Sequence, residues 1–196
     1  MPGLSKLLRP WNGGMLVEAP VSVAREVGLQ PCIVVVGSSA KSLVPALARH
    51  EVISLQHGAW SRGRASSLAA GLERLLGFEA VQAVVVLLGD EPGVRPEAIR
   101  AVADAWRKGT PDLVRVRYRD RPGHPVLLGP SARELALNLD GEESVWNRLI
   151  AAGLAGVEVP VDLDSPVDVD VPAALQEARV REKTEATRSG DPGATE

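Results

Sequence analysis

The sequence predicts an α/β fold: three layers, with a mostly parallel sheet and helices on both of its faces. Three observations lead there. Val84-Val85-Val86-Leu87-Leu88 is an uninterrupted apolar run closed by Gly89, the pattern of a central parallel strand covered on both faces. A second run, Cys32 to Val36, is β-branched and is closed by Gly37. Around these runs lie segments with helical periodicity. Strands and helices therefore alternate along the chain, as right-handed crossovers between parallel strands require.

Composition bounds the rest. At 196 residues and 45% hydrophobic, the chain can bury one full core. We expect a domain over residues 1–180 and a disordered tail over 181–196, where apolar residues run out and Ser189-Gly190-Asp191-Pro192-Gly193 follows. A net charge of -3 argues against nucleic acid as the main partner, and aromatic residues at 3% are too few for base stacking. Cys32 is the chain's single cysteine, so no internal disulfide is available and a reducing compartment is expected. No apolar run is long enough to span a bilayer. A soluble, cytoplasmic protein is the expectation.

The elements follow in order. Met1 to Gly14 is irregular, punctuated by Pro2, Gly3, Pro10, Gly13 and Gly14. Met15 to Val27 has helical spacing, and Gly28 is a natural stop. A strand over Cys32 to Val36, a helix over Ser39 to Arg49 and a short strand over Val52 to Leu55 come next. The loop stretch from His57 to Leu68 leads into a helix whose Leu68, Leu72, Leu75 and Leu76 share a face. Ser66 or Ser67 is suited to cap that helix. Equally, the free N–H groups of its first turn suit an anion, with Gly63 letting a ligand approach the backbone.

The Val84 strand delivers Asp90 at its carboxyl end, where open α/β sheets bind ligands. A carboxylate there serves a metal ion or makes an Asx turn. Pro96 opens a helix to Lys108. Leu113 to Arg119 then alternates, with Arg115, Arg117 and Arg119 in one row. A charged edge strand is the simpler reading of that row, and an electropositive wall the sharper one. Gly123 to Leu128 is a further short strand in which His124 is a turn residue or a substrate contact. Helices over Ser131 to Asn138 and Ser144 to Ala152, then a strand over Val157 to Val161, lead to Asp168-Val169-Asp170-Val171-Pro172. Pro172 opens a last helix, which Asp170 could cap.

Five short motifs stand in a telling order: Lys6-Leu7-Leu8-Arg9-Pro10-Trp11, Gly63 to Leu68, Leu88-Gly89-Asp90-Glu91-Pro92, Gly123-His124-Pro125 and Asp168 to Pro172. Together they resemble the MobA-like nucleotidyltransferases, nearest the molybdenum cofactor cytidylyltransferase branch, over residues 1 to 180. The resemblance implies a nucleotide-diphospho-sugar transferase-like fold and transfer of CMP from CTP to the phosphate of molybdopterin cofactor, with release of pyrophosphate. It implies Lys6 as a phosphate contact and, with Asp90, a catalytic residue. Gly3, Lys6, Gly63, Ser67 and Asp90 would bind nucleotide. Asp90 and Asp170 would hold Mg²⁺, and Gly123, His124 and Pro125 would face the acceptor. CTP, the pterin cofactor and a molybdoenzyme or its chaperone are the implied partners.

Departures from the family pattern are also visible. Glu91 stands where the family has Gln, Val171 where it has Thr, and Gly141-Glu142-Glu143-Ser144 where it has Gly-Asp-x-Gly. The chain begins inside the first motif, so the family's first strand and its L-A-A-G-x-S-x-R loop are missing from it. The expectation is that this loss bares the flank of a strand near Val34 and Val86. Other readings remain: a non-catalytic carrier that delivers the cofactor, a nicotine-blue-type oxidoreductase on the same scaffold, or, remotely, a receiver-like domain with Asp90 as phospho-acceptor.

Overall fold

The computed structural model describes residues 6–167. Gly3, Asp168, Asp170, the helix expected after Pro172 and the tail expected at 181–196 lie outside the described residues.

Lys6–Leu8 forms one 3₁₀ turn, followed by a small hairpin of β1 (Pro10–Trp11) and β2 (Gly14–Met15). Its turn residues Asn12 and Gly13 both have positive φ, at 40° and 78°. That is the backbone an Asn-Gly hairpin turn needs, so part of the segment read as irregular carries a hairpin signal. Glu18 opens α1 (Glu18–Glu26) and fastens the hairpin, accepting a hydrogen bond of 2.6 Å from the Met15 N–H. Its carboxylate also meets Arg49 and lies 3.1 Å from His50. Burial alone would raise the Glu18 pKa, but the hydrogen bonds from Arg49, Met15 and His50 leave it below its ordinary value.

Next come β3 (Ile33–Val36), α2 (Ala40–Leu47) and β4 (Ile53–Gln56), with β3 and β4 parallel. They are followed by α3 (Arg64–Leu75), β5 (Val84–Val86), α4 (Pro96–Gly109), β6 (Leu113–Arg117) and β7 (Pro122–Leu128). The described chain ends with α5 (Pro130–Ala136), α6 (Val145–Ala151) and β8 (Gly156–Pro160). The architecture is mixed α/β, as expected.

The larger sheet has the order β5-β7-β6-β8. In it β7 is reversed, antiparallel to both β5 and β6, while β6 and β8 are parallel. So β5, β6 and β8 run one way and β7 against them. The reversal of β7 against β6 follows from the short turn over Tyr118 to Arg121, too short for a parallel crossover, whereas its pairing with β5 is remote in sequence. Leu113, Val114, Val116, Leu127 and Leu128 are fully buried in this sheet.

Two expectations need correction. β6 is not an edge strand: β7 and β8 flank it, and its alternation reflects one face under α4 and another meeting charged groups. The arginines of the row are paired, Arg115 with Glu158 at 2.9 Å through Nε, and Arg119, just past β6, with Asp162 and Asp164 at 2.7 and 3.2 Å. Arg115 also lies over the Trp146 ring, 4.1 Å from its centroid. The second correction concerns β5, which is half-buried along its length rather than covered throughout. Among the described residues it pairs with β7 alone, and β3 with β4 alone.

Candidate functional site

At the carboxyl end of β5 the backbone turns at Gly89 and presents Asp90. The Asp90 carboxylate lies 2.7 Å from the Lys6 ammonium, and both side chains are between a quarter and a third exposed. Lys6 reaches it because the Leu7 carbonyl is bonded by the Val17 N–H, while Leu7 packs against Gly89. The pair is a charged point at the rim of an apolar body. Glu91 and Pro92, just beyond, turn inward and are buried.

His124 arrives from the reversed strand β7. It sits in the field of Asp90 and Arg64, so β7 brings a residue of the later half of the chain to the Asp90 end of the site. Burial, and next the Arg64 charge, push its pKa down to about 4, with Asp90 opposing. At neutral pH it is an uncharged imidazole, able to donate one hydrogen bond and accept another. Its carbonyl accepts a 2.6 Å hydrogen bond from the Tyr118 hydroxyl. Burial, with the charges of Glu91 and Asp120, holds that hydroxyl well above the usual tyrosine pKa, so it stays a donor. Gly123 packs on the Tyr118 ring, and Pro125 is buried behind it.

The loop before α3 meets the 140–142 loop. Gly63 has φ +105°, and a Cβ there would collide with the Gly141 backbone. The room made by this glycine is therefore occupied by the 140–142 loop. Backbone bonds from Gly141 N–H to the Arg62 carbonyl and from Ala65 N–H to the Gly141 carbonyl hold the two loops together. Arg62 with Asp140 and Arg64 with Glu142 flank the junction, so the Glu142 that departs from the family pattern pairs with an arginine.

Neither serine caps α3; Gly63 is the cap residue, with no side-chain hydrogen bond. Ser66 is buried, donates 2.8 Å to the Gly63 carbonyl and lies 3.1 Å from His57 Nε2. Its neighbour Ser67 is half-buried and, with Arg64, Leu7 and Gly89, lines a common cavity.

Of the residues expected at the site, Lys6 and Asp90 are in contact, His124 is near enough to feel the Asp90 charge, and Ser67 lines the cavity that Leu7 and Gly89 also line. Gly123 and Pro125 support His124. Arg64, Tyr118 and Glu91 were not assigned roles from sequence. Arg64 lay within a quoted motif, whereas Tyr118 gives no local sign that its hydroxyl will hold His124. Among the described residues no three His, Cys, Asp or Glu side chains form a metal cluster. Among the described residues Asp90 offers a hard oxygen donor beside the Lys6 ammonium, and Mg²⁺ accepts one or two carboxylates with waters and substrate phosphates. The residues present fit that ion.

The model of the MobA-like NTP transferase domain matches residues 1–157. Among solved structures, Rv0371c from Mycobacterium tuberculosis H37Rv in complex with manganese is 25% identical, with a TM-score of 0.77 over 88% of this chain and 90% of that one. A molybdopterin-guanine dinucleotide biosynthesis protein A from Archaeoglobus fulgidus shares the fold, with a TM-score of 0.67 at 20% identity over 93% and 92% of the two chains. A bifunctional protein GlmU from Geobacter metallireducens is 31% identical over 102 residues, 52% of this chain but 21% of the relative's length. In the described residues, no helix is long and apolar enough to cross a membrane.

Proposed function

Because the chain belongs to the MobA-like NTP transferase domain family, we propose that it transfers CMP from CTP to the terminal phosphate of molybdopterin cofactor and releases pyrophosphate. The observation that carries this reading is the Lys6–Asp90 pair at the end of β5, with a neutral His124 on β7 close enough to feel the Asp90 charge. An oxygen of the acceptor phosphate attacks the α-phosphorus in line and forms the new P–O bond. The bond to the bridging oxygen breaks, and pyrophosphate leaves with its electron pair.

The acceptor phosphate is already ionised, so no strong base is needed. What the site must do is position charge. Lys6 shifts from Asp90 to the phosphates and neutralises them. Asp90 would hold Mg²⁺, with Asp170 as the second ligand, and the ion would supply charge stabilisation at the transferring phosphate. The manganese in the Rv0371c structure supports a divalent cation in this family. His124 orients the acceptor through hydrogen bonds without adding a charge.

The test is pyrophosphate release from Mg·CTP with and without molybdopterin, for the native chain and Asp90→Asn. Loss of one charge-stabilising group predicts a fall of roughly 10²–10³-fold in turnover. Normal Mg²⁺-dependent turnover by Asp90→Asn would overturn its role. Release with another nucleotide would reassign the donor, and binding of the pterin with no turnover of any nucleotide would favour a carrier.

A further inference from the structure

Beyond β8 the chain has no regular structure over residues 161–167, yet Ser165 and Pro166 are buried. The stretch is rich in acid: Asp162 and Asp164 precede Ser165, and Asp168 and Asp170 follow it in sequence. Backbone bonds tie its first part to the β6–β7 hairpin, from the Val161 N–H to the Arg117 carbonyl and from the Arg119 N–H to the Leu163 carbonyl. At Ser165, side chains take over.

The turn between β6 and β7, closed by the Tyr118 N–H on the Arg121 carbonyl at 3.0 Å, supplies them. Asp120 accepts both donors of Ser165, the N–H at 2.9 Å on one carboxylate oxygen and the hydroxyl at 2.6 Å on the other. Arg121 completes the grip. It donates from Nε to the Ser165 hydroxyl oxygen at 2.9 Å and from Nη2 to the Pro166 carbonyl at 3.2 Å. Ser165 is 4% exposed, so its amide and hydroxyl have no water to turn to if Asp120 is lost. Burial alone would raise the Asp120 pKa, but the two bonds from Ser165 leave it below its ordinary value.

What this grip holds lies against the candidate site on two sides. A Cβ placed on Gly93, just past Asp90 and Glu91, would stand 3.9 Å from both Cα and Cβ of Pro166. Val167 packs on the cluster of Trp11 and Leu16, which is also met by Leu7, the neighbour of Lys6. The same turn begins at Tyr118, whose hydroxyl holds the His124 carbonyl.

We propose that Asp120 is a positioning residue: with Arg121 it fixes Ser165, seats the 165–167 stretch against the loop after Asp90 and the turn that carries Lys6, and so sets how the carboxylates of this acidic segment approach the ion that Asp90 would hold. Asp120 itself touches no reacting group and acts through Ser165. The seating stands on the contacts alone, whereas its bearing on the ion rests on the nucleotidyl-transfer reading above.

A disulfide reads the seating. In the full chain with Cys32→Ser, the pair Gly93→Cys and Pro166→Cys places two Cβ atoms 3.9 Å apart, a separation that a disulfide accepts. Mild oxidation should close that bond, and Asp120→Ala should slow closure by about tenfold or more, because the two thiols are no longer held together. Asp120→Asn, isosteric and so the milder change, should act in the same direction. The second readout is Mn²⁺ affinity, which Asp120→Ala should weaken by about tenfold, as losing the outer support of a metal site does, and which the closed disulfide should restore. Closure at the native rate in both Asp120 variants would overturn the proposal. So would a lowered Tm with Mn²⁺ affinity intact, which would leave Asp120 a purely structural residue. Slowed closure in a chain whose native form binds no Mn²⁺ would uphold the seating and overturn the metal reading instead.

Discussion

β5 has two edges with different histories. Along one it meets β7 in register, Val84 against Leu128 and Val86 against Val126, and β6 and β8 complete the sheet beyond. Leu113, Val114, Val116, Leu127 and Leu128 on that side are at most 2% exposed. Along the other edge β5 faces the cavity, and β3, itself apolar throughout, stands across it. The residue types are alike on the two sides, but the packing is not. Hydrophobicity therefore sets which segments become strands, while the neighbour actually present decides whether a strand's valines are dry.

That contrast makes its largest prediction about stability. Leu113→Ala, on the closed side, should cost about 2–5 kcal/mol, because its removed atoms leave a cavity in a packed neighbourhood. Val35→Ala, on the cavity side, should cost less than about 1 kcal/mol, since part of its surface lines the cavity. Urea denaturation of both variants measures the difference. Equal losses would mean that the two flanks are equally well packed in solution.

His124 sharpens the comparison through pH. It stands on β7, the closed side, and its pKa falls from 6.5 to about 4 on folding. Between those values the unfolded chain binds more protons than the folded one, so stability rises with pH across that window and is fully present above it. Lowering the pH from 7 to 4 should therefore remove roughly 2–3 kcal/mol. Glu18, Asp120 and Asp140, held below ordinary values of 4.5, 3.8 and 3.8, withdraw their support lower still. His124→Asn should flatten the dependence between pH 4.5 and 6.5. An unchanged slope in that variant would assign the window to other groups.

Much of the fold was legible because it is local. Helical spacing marks α1, α3 and α4, and Pro96 and Gly28 mark a start and a stop within a residue or two. The illegible parts are pairings between distant segments. The short turn before Pro122 announces that β7 runs against β6, but nothing near it announces that β5 will pair on its other edge. Nothing near Glu18 announces Arg49 and His50. At the site, Asp90 was legible as a strand-end acid, whereas Lys6 was singled out only by the family resemblance. The depth of His124, and its hold by Tyr118, depend on tertiary burial that no local pattern carries.

The smallest expected effect lies on the arginine row of β6, where sequence left a choice between an electropositive wall and a charged surface. Arg115 meets Glu158 across the parallel β6–β8 pair and lies over Trp146, while Arg117 approaches the same carboxylate at 3.7 Å. A guanidinium already paired and stacked has little left to offer a distant anion. The pair is also partly exposed, so screening keeps its coupling small, less than about 1 kcal/mol. A double-mutant cycle with Arg115→Gln and Glu158→Gln should return that value, and CTP affinity should change less than about twofold in either variant, given how weakly separated surface charges act through salt. A loss of tenfold or more in CTP affinity on Arg115→Gln would show that the pair opens to bind the nucleotide, and would move the anion site from the mouth beside β5 to the far side of the closed sheet.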